Sequence, residues 1–165
     1  MPRAPLLLAL LALVACKDLD RFDSSDGGAY CGDIVSSDFT RKGFDTLPHL
    51  RLTLDIDQLT TAPGTLSSDD AATGPCAPEP QFADAPLVVT TELFADPLSL
   101  LEFGASREHN FIAWVDSTCR GRALAVVSLM HDGSVEVRLL RPGAVTEPDS
   151  TEFGVFQLQR ETCTF

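Results

Sequence analysis

The chain reads as mostly β: a single antiparallel β-sandwich or small β-barrel of about 6–8 strands, stapled by disulfides. Three observations predict this. His49 to Asp57 alternates strictly, with apolar residues at even positions and polar residues at odd ones, the period of a strand with one wet face. Asp132-Gly133 separates two β-patterned runs, a strong hairpin signal. Short apolar runs follow one another through the C-terminal half with no helix-length amphipathic pattern between them.

Residues 17–29, KDLDRFDSSDGGA, are acidic and nearly devoid of large apolar groups, the composition of a solvated tether. Its aspartates do not follow the spacing of a calcium loop, which wants D-x-D-x-D-G and a Glu at position twelve. One short helix is expected around Phe39–Leu47. The strand from His49 places Arg51, Thr53, Asp55 and Asp57 on its solvated face. Residues 60–86 are rich in Pro, Gly, Ser, Thr and Asp and read as a long loop, the best candidate in the chain for a partner-binding element.

Further strands are expected over Leu87–Phe94, Leu98–Phe103, Phe111–Val115, Ala123–Met130, Val135–Leu140 and Glu152–Gln159. Phe111–Val115 and Ala123–Met130 are apolar on both faces, as central strands are. A two-residue type I′ turn at Asp132-Gly133 would set Met130 opposite Val135, Ser128 opposite Val137 and Val126 opposite Leu139. Trp114, the single tryptophan, is expected in the core. The turn Asp116–Arg122 is expected at one edge of the body, with Asp116 ion-paired to Arg120 or Arg122.

The N-terminus carries an address. Arg3 precedes an unbroken apolar run from Leu6 to Val14, too short to span a membrane and of the length of a secretory signal. The run ends in Leu13-Val14-Ala15-Cys16, which resembles the bacterial lipobox. Membership in the lipoprotein family implies cleavage before Cys16, a lipid on its thiol and a stable multi-chain anchor. Residues 1–15 are then a cleaved signal peptide, residues 16–29 the lipidated cysteine with its acidic tether, and residues 30–165 one β-rich domain. Lys17, where an inner-membrane lipoprotein has Asp, favours the outer membrane.

Four cysteines remain beyond Cys16: Cys31, Cys76, Cys119 and Cys163, spaced 45, 43 and 44 residues apart. An exported compartment preserves disulfides, and the spacing contains no C-x-x-C for redox or zinc chemistry. Four cysteines allow three pairings; the preferred one joins neighbours in sequence, Cys31–Cys76 and Cys119–Cys163.

No catalytic pattern emerges. His49, His109 and His131 lack H-E-x-x-H spacing, and neither a nucleophile elbow nor a phosphate cradle is present. The net charge of −12 argues against nucleic-acid binding. The expected role is therefore that of a non-enzymatic envelope lipoprotein, held to the membrane by its lipid and meeting an envelope protein or cell-wall component. No metal and no cofactor beyond the Cys16 lipid are expected. Two alternatives stand beside it: a carrier enclosing an apolar ligand in a β-barrel, and an envelope hydrolase whose triad or carboxylate pair assembles from distant residues.

Overall fold

The computed structural model describes residues 24–35, 44, 47, 49–55, 63–90, 107–141 and 151–165. Eight strands run through them: β1 Gly28–Ile34, β2 His49–Leu54, β3 Gly64–Ser68, β4 Ala85–Val89, β5 Arg107–Asp116, β6 Arg122–Met130, β7 Val135–Arg141 and β8 Glu152–Arg160. Each pairs antiparallel with the next, and β8 returns to pair with β1. Of the two architectures the sequence predicts, the chain forms the closed barrel.

Period two decides what fills it. Leu50, Leu52 and Leu54 of β2 turn inward, while Arg51 and Thr53 turn out. Their inward neighbours across the ladders are Gly32, Tyr30 and Gly28 on one side and Ser68, Leu66 and Gly64 on the other. The inner residues of all eight strands, with Phe44, Leu47 and Phe82 from the connections, form one buried cluster. An eight-stranded barrel is just wide enough for side chains to fill. Each large side chain so buried contributes about 1.5–3 kcal/mol. On the β1, β2 and β8 side the outer positions Arg51, Thr53, Gln157 and Gln159 are polar.

Closure depends on a close approach. Gly32 faces Leu158 on β8, and a Cβ added there would lie 1.9 Å from the Gln157 carbonyl oxygen. Any side chain would push the first and last strands apart.

Several expectations change. The hairpin at Asp132-Gly133 exists, but its loop has three residues, His131 to Gly133, because Met130 N–H bonds to Ser134 O at 2.8 Å. Gly133 adopts φ +81°, the left-handed position of a three-residue hairpin loop, and Asp132 Oδ1 accepts from Ser134 N–H at 2.9 Å. The register moves by one residue. Leu129 now faces Val135, Val127 faces Val137 and Ala125 faces Leu139. The two-residue loop would have set Val127 and Leu129 against Arg138 and Glu136; the longer loop brings apolar groups together inside the barrel.

The segment 60–86 is not a continuous loop. It contains β3, whose GTLSS sequence carries a single large apolar residue, and a 3-10 turn at Asp70–Ala72. β1 begins at Gly28, inside the segment read as tether, because Gly28 and Ala29 pair with Leu54 and Thr53. β2 ends at Leu54 and β4 at Val89; the expected strand Leu98–Phe103 lies outside the described residues. Of the expected helix Phe39–Leu47, only Phe44 and Leu47 are described, joined by a Leu47 N–H to Phe44 O bond of 2.9 Å.

The preferred disulfide pairing is overturned. Cys31 bonds Cys163, with Cα atoms 5.6 Å apart, and Cys76 bonds Cys119, with Cα atoms 5.4 Å apart. An up-and-down barrel makes its first and last strands neighbours, so the chain leaving β8 passes Cys31. The same order puts the β3–β4 and β5–β6 connections at one end, where Cys76 meets Cys119. Sequence adjacency was the wrong guide.

Candidate functional site

A cleft of about 350 Å³ lies on the outside of the barrel, between β1, β2 and the residues that follow β8. After Arg160 the chain turns back along the outer face of β1 and β2, tied by the Cys31–Cys163 bond. Residues 161–165 form a strap that makes one wall of the cleft. The other wall is Asp33 at the end of β1, His49 at the start of β2 and Asp69 just after β3. The β1–β2 ladder sets Asp33 opposite His49 and the β2–β3 ladder brings Asp69 beside it, while closure of β8 onto β1 adds the strap.

His49 organises it. Its Nδ1 pairs with the Asp33 carboxylate, and its Nε2 lies 3.8 Å from Asp69 Oδ2. The Phe165 ring on the strap has its centroid 6.4 Å from the imidazole. Glu161 adds another carboxylate to the lining. The arrangement offers hydrogen-bond acceptors and negative charge beside an aromatic ring, chemistry suited to donor-rich or cationic groups. Among the described residues no group of three or more His, Cys, Asp or Glu is placed to hold a metal.

Beside the cleft, Arg51 ties strap and wall together. Its Nη1 donates to Phe165 O at 3.2 Å, and its Nη2 to Ser67 Oγ at 3.0 Å and Asp84 Oδ1 at 2.8 Å. Ser67 also donates to Asp84 Oδ1, at 2.7 Å. The Ser67 hydroxyl first, then the Arg51 guanidinium, hold the Asp84 carboxyl below the usual carboxylate range, since both bond its charged form.

At the stapled end of the barrel, Thr118 N–H donates to Gln81 O at 2.9 Å and Thr118 Oγ1 to Pro80 O at 2.8 Å. These bonds join the two connections that Cys76–Cys119 links. Asp70 fixes the first connection from within: its Oδ1 accepts from Ser68 Oγ at 2.6 Å and Gln81 N–H at 2.8 Å. Nearby, Glu152 accepts from both Arg120 and Arg141. Burial lowers the Arg141 pKa, and the Glu152 charge opposes that shift.

The residues singled out from sequence fall in different places. Cys16 lies outside the described residues, as does the His109 side chain. His131 is exposed at the hairpin tip. Trp114 is not in the barrel interior: it faces outward, packed on a second cluster of Ile112, Leu124 and Val126, with the Arg122 guanidinium 4.3 Å above its ring. Arg122 stacks there and Arg120 reaches Glu152, so neither is the expected partner of Asp116. Of the two candidate histidines with described side chains, His49 enters the cleft. Asp33 and Asp69 carried no local signal, because only the β1–β2 and β2–β3 ladders bring them to His49; Glu161 and Phe165 carried none, because they reach the cleft through barrel closure and the Cys31–Cys163 bond.

No protein-family model, no curated protein and no solved structure matches the chain.

Proposed function

We propose that this protein is an exported lipoprotein, held by a lipid on Cys16, whose barrel is a non-enzymatic interaction module of the bacterial cell envelope. The observation that carries the reading is the polarity of the barrel. β1 starts at the same end as the β6–β7 turn, while the β3–β4 and β5–β6 connections lie at the other end, stapled by Cys76–Cys119. A tether entering at Gly28 would turn the stapled end away from the membrane, toward an envelope protein or cell-wall component. Lys17 after the lipidated cysteine favours the outer membrane.

The four cysteines in disulfides accord with export, where such bonds persist. The apolar carrier is the weaker reading. Leu50, Leu52, Leu66, Leu87, Val137 and Phe156 are each 0% exposed, so side chains already fill the space around them.

Two measurements test the proposal. In cells fed a labelled fatty acid, the protein should carry label and sediment with membranes, and Cys16→Ser should do neither. A Cys16→Ser protein still membrane-bound after peripheral proteins are stripped overturns the anchor. Photo-crosslinkers placed at Thr118 and at His131 should give adducts in intact envelopes at the first position only. Adducts at neither position overturn the interaction role.

A further inference from the structure

We propose that the Cys31–Cys163 bond is a latch: thiol–disulfide exchange with a dithiol frees residues 161–165 from the barrel wall and opens the His49 cleft, while the barrel stays closed. The inference does not depend on lipidation or on the interaction role. It rests on how differently the strap and the wall are held.

The wall is secured without the bond. β1 and β8 pair from Tyr30↔Arg160 to Ile34↔Phe156, and Tyr30, Phe156 and Leu158 on the inner side of that seam are at most 1% exposed. The strap has no comparable support. Glu161, Thr162, Thr164 and Phe165 are exposed. Beyond the disulfide, its ties to the wall include the Arg51 bond to Phe165 O at 3.2 Å and ring contacts of Phe165 at 6.0 Å from Arg51 and 6.4 Å from His49. Exposed contacts of this kind are weak one by one. The covalent bond is the dominant tie.

The other disulfide has no such role. The connections it joins are also held by the Thr118 bonds to Gln81 O and Pro80 O, so breaking it leaves them crossed.

The exchange has an accessible target. Cys31 is 6% exposed, whereas Cys163 is half-buried between exposed neighbours. A thiolate of the dithiol attacks Cys163 Sγ, the S–S bond breaks, and Cys31 leaves as a thiolate that takes a proton. The second thiol of the dithiol then attacks the mixed disulfide, releasing Cys163, which is protonated in turn. The protein gains two electrons and two protons; the dithiol leaves as a disulfide. Asp33, His49 and Asp69 then lose the strap as the opposite wall of their cleft.

The test uses graded dithiothreitol on the folded, isotope-labelled protein, trapping free thiols with iodoacetamide for mass spectrometry. Cys31 and Cys163 should become labelled while the amides of Val127 and Val137 keep their native chemical shifts. Under the same conditions, and in Cys31→Ser/Cys163→Ser, the Phe165–His49 ring contact should vanish, and the backbone order parameters of residues 162–165 should fall to the flexible range, below about 0.6. In Phe165→Ala, with the bond intact, residues 162–163 should keep the order parameters of the tied strap. Labelling that appears only as Val127 and Val137 unfold would make the bond a staple of the barrel and overturn the latch. A Phe165–His49 contact that survives reduction, or a strap freed in Phe165→Ala, overturns it equally.

Discussion

From β5 to β8 the ladders run nine, six and seven residue pairs, whereas β3 meets β4 over two pairs and β4 meets β5 over three. The long ladders also carry apolar residues on both faces: Val127 and Val137 inside, Ile112, Leu124 and Val126 outside. The short ladders belong to the half with the polar outer wall and the cleft. Both disulfides secure parts of that half, Cys31 in β1 and Cys76 between β3 and β4. Backbone pairing and apolar burial suffice on one side, and covalent ties supplement them on the other.

The sharpest way to break this contrast is to remove a staple. Cys76–Cys119 encloses a separation of 43 residues, and its loss in Cys76→Ser/Cys119→Ser should cost about 4 kcal/mol on the chain-entropy model, read by denaturant unfolding. Amides of β3 and β4 should lose hydrogen-exchange protection before those of β6. Equal loss across both halves would erase the distinction. Leu66→Ala removes the one large core side chain of β3, which is 0% exposed, and should cost about 3 kcal/mol. Its effect on exchange should again concentrate in β3 and β4, while Leu139→Ala in β7 should lower protection throughout.

A smaller effect is expected at the hairpin. Gly133→Ala meets no atom within 4 Å but must hold φ +81°, a strain of about 1–2 kcal/mol. The β6–β7 register should survive, because Leu129, Val127 and Ala125 hold it from inside. Cross-strand contacts that moved to Met130–Val135 would show that the turn, not the core, sets it.

The smallest effect is electrostatic. The folded Asp84 carboxyl lies below its ordinary value of 3.8, so any stability it adds is present above that range and lost as pH falls through the lowered value. Ser67→Ala should raise its carboxyl titration toward the ordinary value, followed by carbon NMR. Arg51→Ala, which removes both a hydrogen bond and a charge, should raise it as well. Asp84 is exposed, so overall stability should move by no more than about 0.5 kcal/mol in either case.

Legibility in the sequence follows the same division. The strands β5 to β8 announce themselves, because long apolar runs and the Asp132-Gly133 turn are local signals. Even there the register needed the interior: one extra loop residue decides whether Val127 meets Val137 or Arg138. β3 was hidden because Gly64, Thr65, Ser67 and Ser68 resemble loop residues, and only pairing with β2 makes them a strand. The disulfides and the cleft were hidden for a longer-range reason. Cys31 and Cys163 are 132 residues apart, and nothing near either reveals that β1 and β8 are neighbours. His49 stood out by its chemistry, but its partners Asp33 and Asp69 emerge only from the β1–β2 and β2–β3 registers, and the strap only from barrel closure.

That closure has one more consequence. Closure pairs β8 with β1, so the two strands that would be the edges of an open sheet offer no free row of backbone N–H and C=O groups for another chain to extend. At that seam a partner cannot add itself as a further strand, and copies cannot stack edge to edge. Whatever meets the protein there must read side chains, and the variants that abolish such recognition will be found among loop and wall residues rather than in the β1–β8 ladder.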